Sequence, residues 1–156
     1  MVEVTEQLIA QQILRIMPAI MRVIAAELRT HPQNLVPAQL GVLAYLSLGT
    51  RNISELAELQ SVSLPTMSGT VSKLVSLGLV QRTRSHEDRR VMLLALTAEG
   101  AAVLQELLDH AVARISQNLH LLDRADLEMI GAGLATLGQI FTPFENERIE
   151  EQKEQE

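Results

Sequence analysis

Cysteine and tryptophan are absent from this 156-residue chain, and its aromatic residues number one Tyr and two Phe. Without Cys there is no disulfide framework, no thiolate metal site, and no cysteine nucleophile or redox sensor. That absence is compatible with a reducing cytoplasm, the expected location. No uninterrupted run of about 18 apolar residues marks a membrane span, and no basic start leads into an apolar signal core, so no membrane partner is expected. Positive charge is also scarce. Thirteen Lys+Arg against 19 Asp+Glu leave a formal net charge of −6, which taken alone opposes a nucleic-acid partner, whose footprint should be basic. What remains is an ordinary globular composition, 47% hydrophobic and 21% charged, long enough for one domain or two small lobes.

The charge is unevenly placed. Residues 145–156 hold six Glu against Arg148 and Lys153, a net −4 in a polar tail. Between Ser61 and Thr97 the balance reverses to +3: Lys73, Arg82, Arg84, Arg89 and Arg90 against Glu87 and Asp88. Salt screens charges beyond about 8–10 Å, so a local basic patch matters more to a polyanion than the chain's total.

Apolar residues at Ile9, Ile13, Ile16, Ile20, Val23, Ile24 and Leu28 step by three and four, predicting an amphipathic helix over about Thr5 to Arg29. Pro18 should kink or break it. After the loop at His31-Pro32, Pro37 suits the first turn of a second helix, which Gly49 stops. Asn52 with Glu55 forms a capping-box pattern for a short third helix. Ser63 caps a fourth, which has Pro65 in its first turn and Gly78 at its end. Its inner positions are Met67, Val71, Leu74 and Val75. Thr66, Ser68, Gly69, Ser72, Lys73 and Ser76 lie outside, a small polar face with one cation and no acid. Leu79 to Arg84 and Val91 to Thr97 read as two strands around a polar loop. Thr97 and Asp123 then cap two long helices. The first carries Leu104, Leu108, Ala111, Ile115 and Leu119, and the second Leu127, Ile130, Leu134, Leu137 and Phe141. Gly131, Gly133 and Gly138 in that last helix each cost about 1 kcal/mol relative to Ala. They are expected to admit close approach of another helix across a dimer.

Two short helices joined by a tight turn, followed directly by a hairpin, describe a winged helix-turn-helix. The fold class is mainly α with a two-stranded wing and a helical dimerisation region. A helix with small outer side chains fits the major groove, about 12 Å wide, and brings its backbone near the bases. Ser63 and Thr66 place hydroxyls and free N–H groups where a phosphate would sit. The Arg pair at the hairpin tip suits the phosphate backbone or a narrow minor groove.

The stretch Leu56 to Gly100 resembles the MarR family of bacterial transcriptional regulators. The resemblance lies in the helix-turn-helix spacing, Gly78-Leu79-Val80, the wing motif Asp88-Arg89-Arg90, and Leu96-Thr97-Ala98-Glu99-Gly100. It extends in helix order to about Phe144. It implies a homodimeric repressor on a pseudo-palindromic operator, released by a small-molecule effector, with no cofactor. It also implies a division into an N-terminal dimerisation segment (1–34), a winged domain (35–97), C-terminal dimerisation helices (98–144) and an acidic tail (145–156). Carried over by position, Pro65, Thr66, Ser68, Gly69, Ser72 and Lys73 lie on or near DNA, with Ser63 and Arg82 beside them. Arg90 reaches the minor groove, Asp88 orients it, and Arg84 and Arg89 contact phosphates. Arg15, Arg22, His31 and Tyr45 are the effector-site candidates. Three positions depart from the family pattern. Gln60-Ser61 stands where Leu-Gly is usual, Gly69 where a long polar side chain is common, and Val36 where Ser or Thr precedes the proline.

Rival functions find less support. An enzyme needs convergent acid, base or nucleophile groups, whereas His31, His86, His110 and His120 are scattered. Glu106 and His110, at i and i+4, leave a metal-responsive regulator open, although no metal site is expected. A winged-helix protein–protein module is favoured by the acidic total and opposed by the Arg82–Arg90 cluster.

Overall fold

Thr5 accepts the Leu8 N–H on its hydroxyl at 3.2 Å and so opens α1 (Glu6–Thr30). The computed structural model describes residues 4–84 and 91–141. Asp88, Arg89, Arg90, Phe144 and the acidic tail therefore lie outside the described residues. After α1 come α2 (Pro37–Ser47), α3 (Ile53–Leu59), α4 (Leu64–Ser76), β1 (Val80–Arg84), β2 (Met92–Leu96), α5 (Ala98–Leu119) and α6 (Arg124–Phe141). The strands pair antiparallel, with Val80 opposite Leu96 and Arg84 opposite Met92.

Contrary to the expected break, α1 runs unbroken through Pro18. Proline removes the bond to the Leu14 carbonyl, and Leu14 is exposed, a setting in which solvent can replace a lost helix bond. By length and composition alone α1 also qualifies as a membrane-spanning helix, with mean hydropathy reaching 1.4. The absence of an uninterrupted apolar run did not anticipate this, because Arg15 and Arg22 interrupt the run without lowering its average far.

The chain divides into two compact units, Met1–Ile115 and Ser116–Glu156. The first holds the core. Leu28, Leu43, Leu56, Met67, Leu74 and Leu79 are essentially inaccessible, each contributing about 1.5–3 kcal/mol by burial. They come from α1, α2, α3, α4 and the turn after α4, so the helix-turn-helix is itself the centre of the core. α5 adds Gly100, Val103, Leu104, Leu107 and Ala111. Leu108, expected on this inner stripe, is exposed; the buried line passes through Leu107, and the next residue turns about 100° away. Arg114 Nε donates to Glu27 Oε1 at 3.2 Å and clasps α5 to α1. In the second unit, Asp123 caps α6 by accepting the Asp126 N–H at 2.8 Å.

One pairing is not signalled by the local sequence. Arg51 exchanges both backbone hydrogen bonds with Leu94, at 2.8 and 3.2 Å, and adds an isolated bridge to the hairpin.

Candidate nucleic-acid interface

α3 begins with the reciprocal box its sequence requires. Glu55 N–H donates to Asn52 Oδ1 at 3.0 Å, and Asn52 N–H donates to Glu55 Oε2 at 2.8 Å. Its end is where the chain departs from the family pattern. Val62 N–H donates to the Ala57 carbonyl and Ser61 N–H to that of Glu58, both at 3.0 Å. These two bonds form a Schellman motif, which needs a left-handed residue at the position after the cap. Ser61 occupies that position with φ 52. The turn therefore keeps the geometry that glycine normally supplies, at a conformational cost. Gln60 reinforces it: its Nε2 donates to the Ala38 carbonyl at 3.0 Å. The side chain fits because Gly41 lies beneath it, where an added Cβ would sit 2.7 Å from that nitrogen. Val36 cannot cap α2 with a side-chain oxygen. Gln39 does so from inside the helix, its Oε1 accepting the Val36 N–H at 2.9 Å.

α4 presents the faces its periodicity predicts. Met67, Val71 and Leu74 are buried, while Pro65, Thr66, Ser68, Gly69, Ser72, Lys73 and Ser76 are exposed. Ser63 caps the helix, its Oγ lying 2.9 Å from Thr66 Oγ1 and 3.4 Å from the Thr66 backbone nitrogen. A second Schellman motif ends α4. Leu79 N–H donates to the Leu74 carbonyl and Gly78 N–H to that of Val75, both at 3.0 Å, with Gly78 at φ 73.

The start of α5 locks this end in place. Thr97 Oγ1 donates to the Gly78 carbonyl at 2.6 Å and accepts the Gly100 N–H at 2.9 Å. Thr97 N–H donates to the Leu79 carbonyl at 3.1 Å. A Cβ at Gly100 would lie 2.0 Å from that same carbonyl oxygen, so only glycine allows the approach. The Leu-Thr-Ala-Glu-Gly motif is thus a clamp between α5 and the end of α4. Sequence alone identifies Thr97 as a helix cap and does not show the clamp. A glycine three residues into a helix was the available signal.

β1 carries Arg82 and Arg84 at alternate positions on one face, both exposed. Arg82 Nη2 donates to Ser72 Oγ at 3.4 Å, which sets its guanidinium beside the exposed side of α4. Lys73, Arg82 and Arg84 form no ion pair with a described residue. Asp88, Arg89 and Arg90 lie outside the described residues.

The four effector-site candidates are not brought together. Arg15 and Arg22 are exposed on α1. The His31 side chain is 7% exposed; its Nδ1 accepts the Gln33 N–H at 3.2 Å, and its Nε2 lies 3.6 Å from Glu106 Oε2. Glu106 thus turns toward His31. Tyr45 Oη donates to the Leu59 carbonyl at 3.4 Å. A cavity of about 40 Å³ between α1, α2 and α5 is lined by Ile24, Glu27, Leu28, Leu40, Leu107, Leu108 and Ala111, and by none of the four candidates. Among the described residues, no group of three His, Asp or Glu is placed to hold a metal ion.

Comparison with known proteins gives this architecture its context. The family model described as MarR family matches residues 37–92. The uncharacterized HTH-type transcriptional regulator YfiV of Bacillus subtilis (strain 168) is 29% identical over 91 residues, covering 58% of this chain and 57% of YfiV. This chain thus spans little more than half of that relative's length. The HTH-type transcriptional repressor MdtR of the same organism is 33% identical over 108 residues, covering 69% of this chain and 70% of MdtR. FabT of Streptococcus pneumoniae, solved in complex with DNA, shares the fold with a TM-score of 0.68 at 20% identity, covering 90% of this chain and 99% of that one. The helix-turn-helix, its clamp and the two-stranded wing coincide with a family match at this level of identity and coverage, and this chain belongs to the MarR family.

Proposed function

We propose that this chain is a sequence-specific DNA-binding transcriptional regulator of the cytoplasm, acting as a homodimeric repressor that a small molecule releases from DNA. It is a binding protein and not an enzyme. The observation that carries the reading is the exposed side of α4, small and free of acids, with Arg82 held beside it. Lys73, Arg82 and Arg84 have no ion-pair partner among the described residues. Exposed cations on a docking face fit a polyanion, because neutralising phosphates releases counterions. The repressor role is supported by MdtR's name and the DNA partner by the FabT complex. Ser63, Pro65, Thr66, Ser68, Gly69, Ser72, Lys73, Arg82, Arg84 and the wing residues Asp88, Arg89 and Arg90 are the proposed contacts.

Homodimerisation is supported by unpartnered apolar surface on each unit separately. On α1, Leu14, Ile16, Met17, Ile20 and Met21 are exposed; on α6, Met129, Leu134, Ile140 and Phe141 are. A Cβ at Gly131 or Gly133 meets nothing within 4 Å, which leaves room for another helix. The effector part rests on the family alone. A cavity of about 40 Å³ accommodates little more than a water molecule, whereas small-molecule pockets span about 300–1,000 Å³.

Selection of duplexes from random DNA by the purified protein, followed by a salt series on the selected site, tests the reading. Affinity should fall steeply with salt. Arg84→Ala should weaken binding and reduce the salt slope by about 1 for each subunit's lost phosphate contact. Failure to enrich any duplex would reject DNA binding. Gly133→Leu should shift dimer dissociation in analytical ultracentrifugation; unchanged dissociation would reject close helix packing at that position.

A further inference from the structure

The exposed side of α4 is poor in groups that read base edges. Leu64 to Ser76 contains no Asn, Gln, Arg, Asp, Glu or His, the residues that pair with guanine, adenine or cytosine edges alongside Lys. Most of its hydroxyls are already engaged. Ser63 and Thr66 bond each other at 2.9 Å. Thr70 Oγ1 donates to the Thr66 carbonyl at 3.1 Å, and Ser76 Oγ to the Lys73 carbonyl at 2.7 Å. Ser72 Oγ accepts from Arg82. Lys73 sits in the last turn, about 13 Å along the axis from Leu64, whereas recognition helices contact bases mainly through their N-terminal residues.

That leading end is apolar. Leu64 is 50% exposed despite its size, Pro65 is exposed beside it, and Thr66, its oxygen turned to Ser63, keeps a methyl group. Gly69, one turn further on, offers no side chain, and nothing lies within 4 Å of where its Cβ would be. The flat centre lets the apolar end approach the groove floor. The one apolar group on that floor is the thymine C5 methyl.

We propose that this recognition helix selects its operator through thymine methyl groups contacted by Leu64, Pro65 and the Thr66 methyl, with no bidentate base contact from α4. The inference rests on the DNA-binding reading above and specifies the kind of site that reading requires. The half-site core is then T-rich.

The test uses the full-length protein and the duplex it selects from random DNA. Each thymine of the half-site is replaced in turn by deoxyuridine, which keeps every hydrogen-bonding edge and lacks only the methyl. At least one position per half-site should weaken binding about threefold, the effect of one methyl left unburied. Substitution in both half-sites together should weaken it about tenfold. At one or more of these positions the loss should disappear in Leu64→Ala and persist in Leu64→Val, which keeps a branched apolar tip. Deoxyuridine without effect at every position overturns the inference, as does a half-site core of dictated G·C pairs, or a full loss retained at every sensitive position in Leu64→Ala. In each of those cases the protein still binds DNA and the proposed function stands. Failure to select any duplex instead removes the proposed function, and this inference with it.

Discussion

Ser61→Gly should make this protein more stable. Two Schellman motifs bracket α4, with the same pair of backbone bonds. In one the left-handed position is Gly78 at φ 73, and in the other it is Ser61 at φ 52. An L-residue in this region costs roughly 1–2 kcal/mol that glycine does not incur. Against this, glycine gives the unfolded chain more freedom, worth about 0.4–1 kcal/mol. The Ser61 side chain is exposed, and its removal breaks no side-chain hydrogen bond. The net gain is about 0.5–1 kcal/mol, or about 1–4 °C in Tm for a chain of this size. In urea, at fixed protein concentration to hold any dimer equilibrium constant, the midpoint should rise by about 0.3–0.5 M with an unchanged slope. Ser61→Ala, which keeps the strain, should stay near the original stability. Gly78→Ser should move the other way by a similar amount, since a Cβ there meets Glu99 only at 3.6 Å. Equal stability of Ser61→Gly and Ser61→Ala would refute the argument, because it would mean the left-handed backbone carries no cost at this turn.

Three further substitutions probe the clamp and the helix it holds. Gly100→Ala places a Cβ 2.0 Å from the Leu79 carbonyl oxygen and should destabilise by about 3 kcal/mol or more, since backbone must shift; chemical denaturation measures it, and a cost below about 1 kcal/mol would exclude the close approach. Thr97→Val removes both the bond to the Gly78 carbonyl and the cap on Gly100 at a cost of about 1–3 kcal/mol, read from the same unfolding curves. Gly69→Ala, in open space at mid-helix, should stabilise by about 0.5–1 kcal/mol, seen as a higher melting temperature by circular dichroism.

Much of the winged lobe was legible from local signals. Asn52 with Glu55, Ser63 with Pro65, and Gly78 each mark a helix end through bonds made within a few residues. Such bonds form wherever those residues stand in that order. The inner and outer faces of α4 followed from 3.6-residue periodicity for the same reason. Long-range relations were not legible. Arg51 pairs with Leu94 across more than forty residues, and nothing near Arg51 announces a strand. Leu108 suited the apolar stripe of α5, yet the buried line runs through Leu107, because the direction of the core is set by what α5 packs against. His31 and Glu106, 75 residues apart in the chain, lie with Nε2 and Oε2 3.6 Å apart.

By itself, then, the sequence determined the order of the helices, their caps, the polar side of α4 and the cations around it. These depend on residues near one another along the chain, where spacing and chemistry suffice. Tertiary structure decided the rest. It tied the Ser61 turn, where a serine holds a glycine's conformation, to α2 through Gln60, whose Nε2 reaches the Ala38 carbonyl over Gly41. It turned Thr97 and Gly100 from a helix start into a clamp on α4. It also brought Arg82 of β1 against Ser72 on the exposed side of α4. Each of these depends on contacts between segments far apart in the chain, whose geometry exists only once the core has formed.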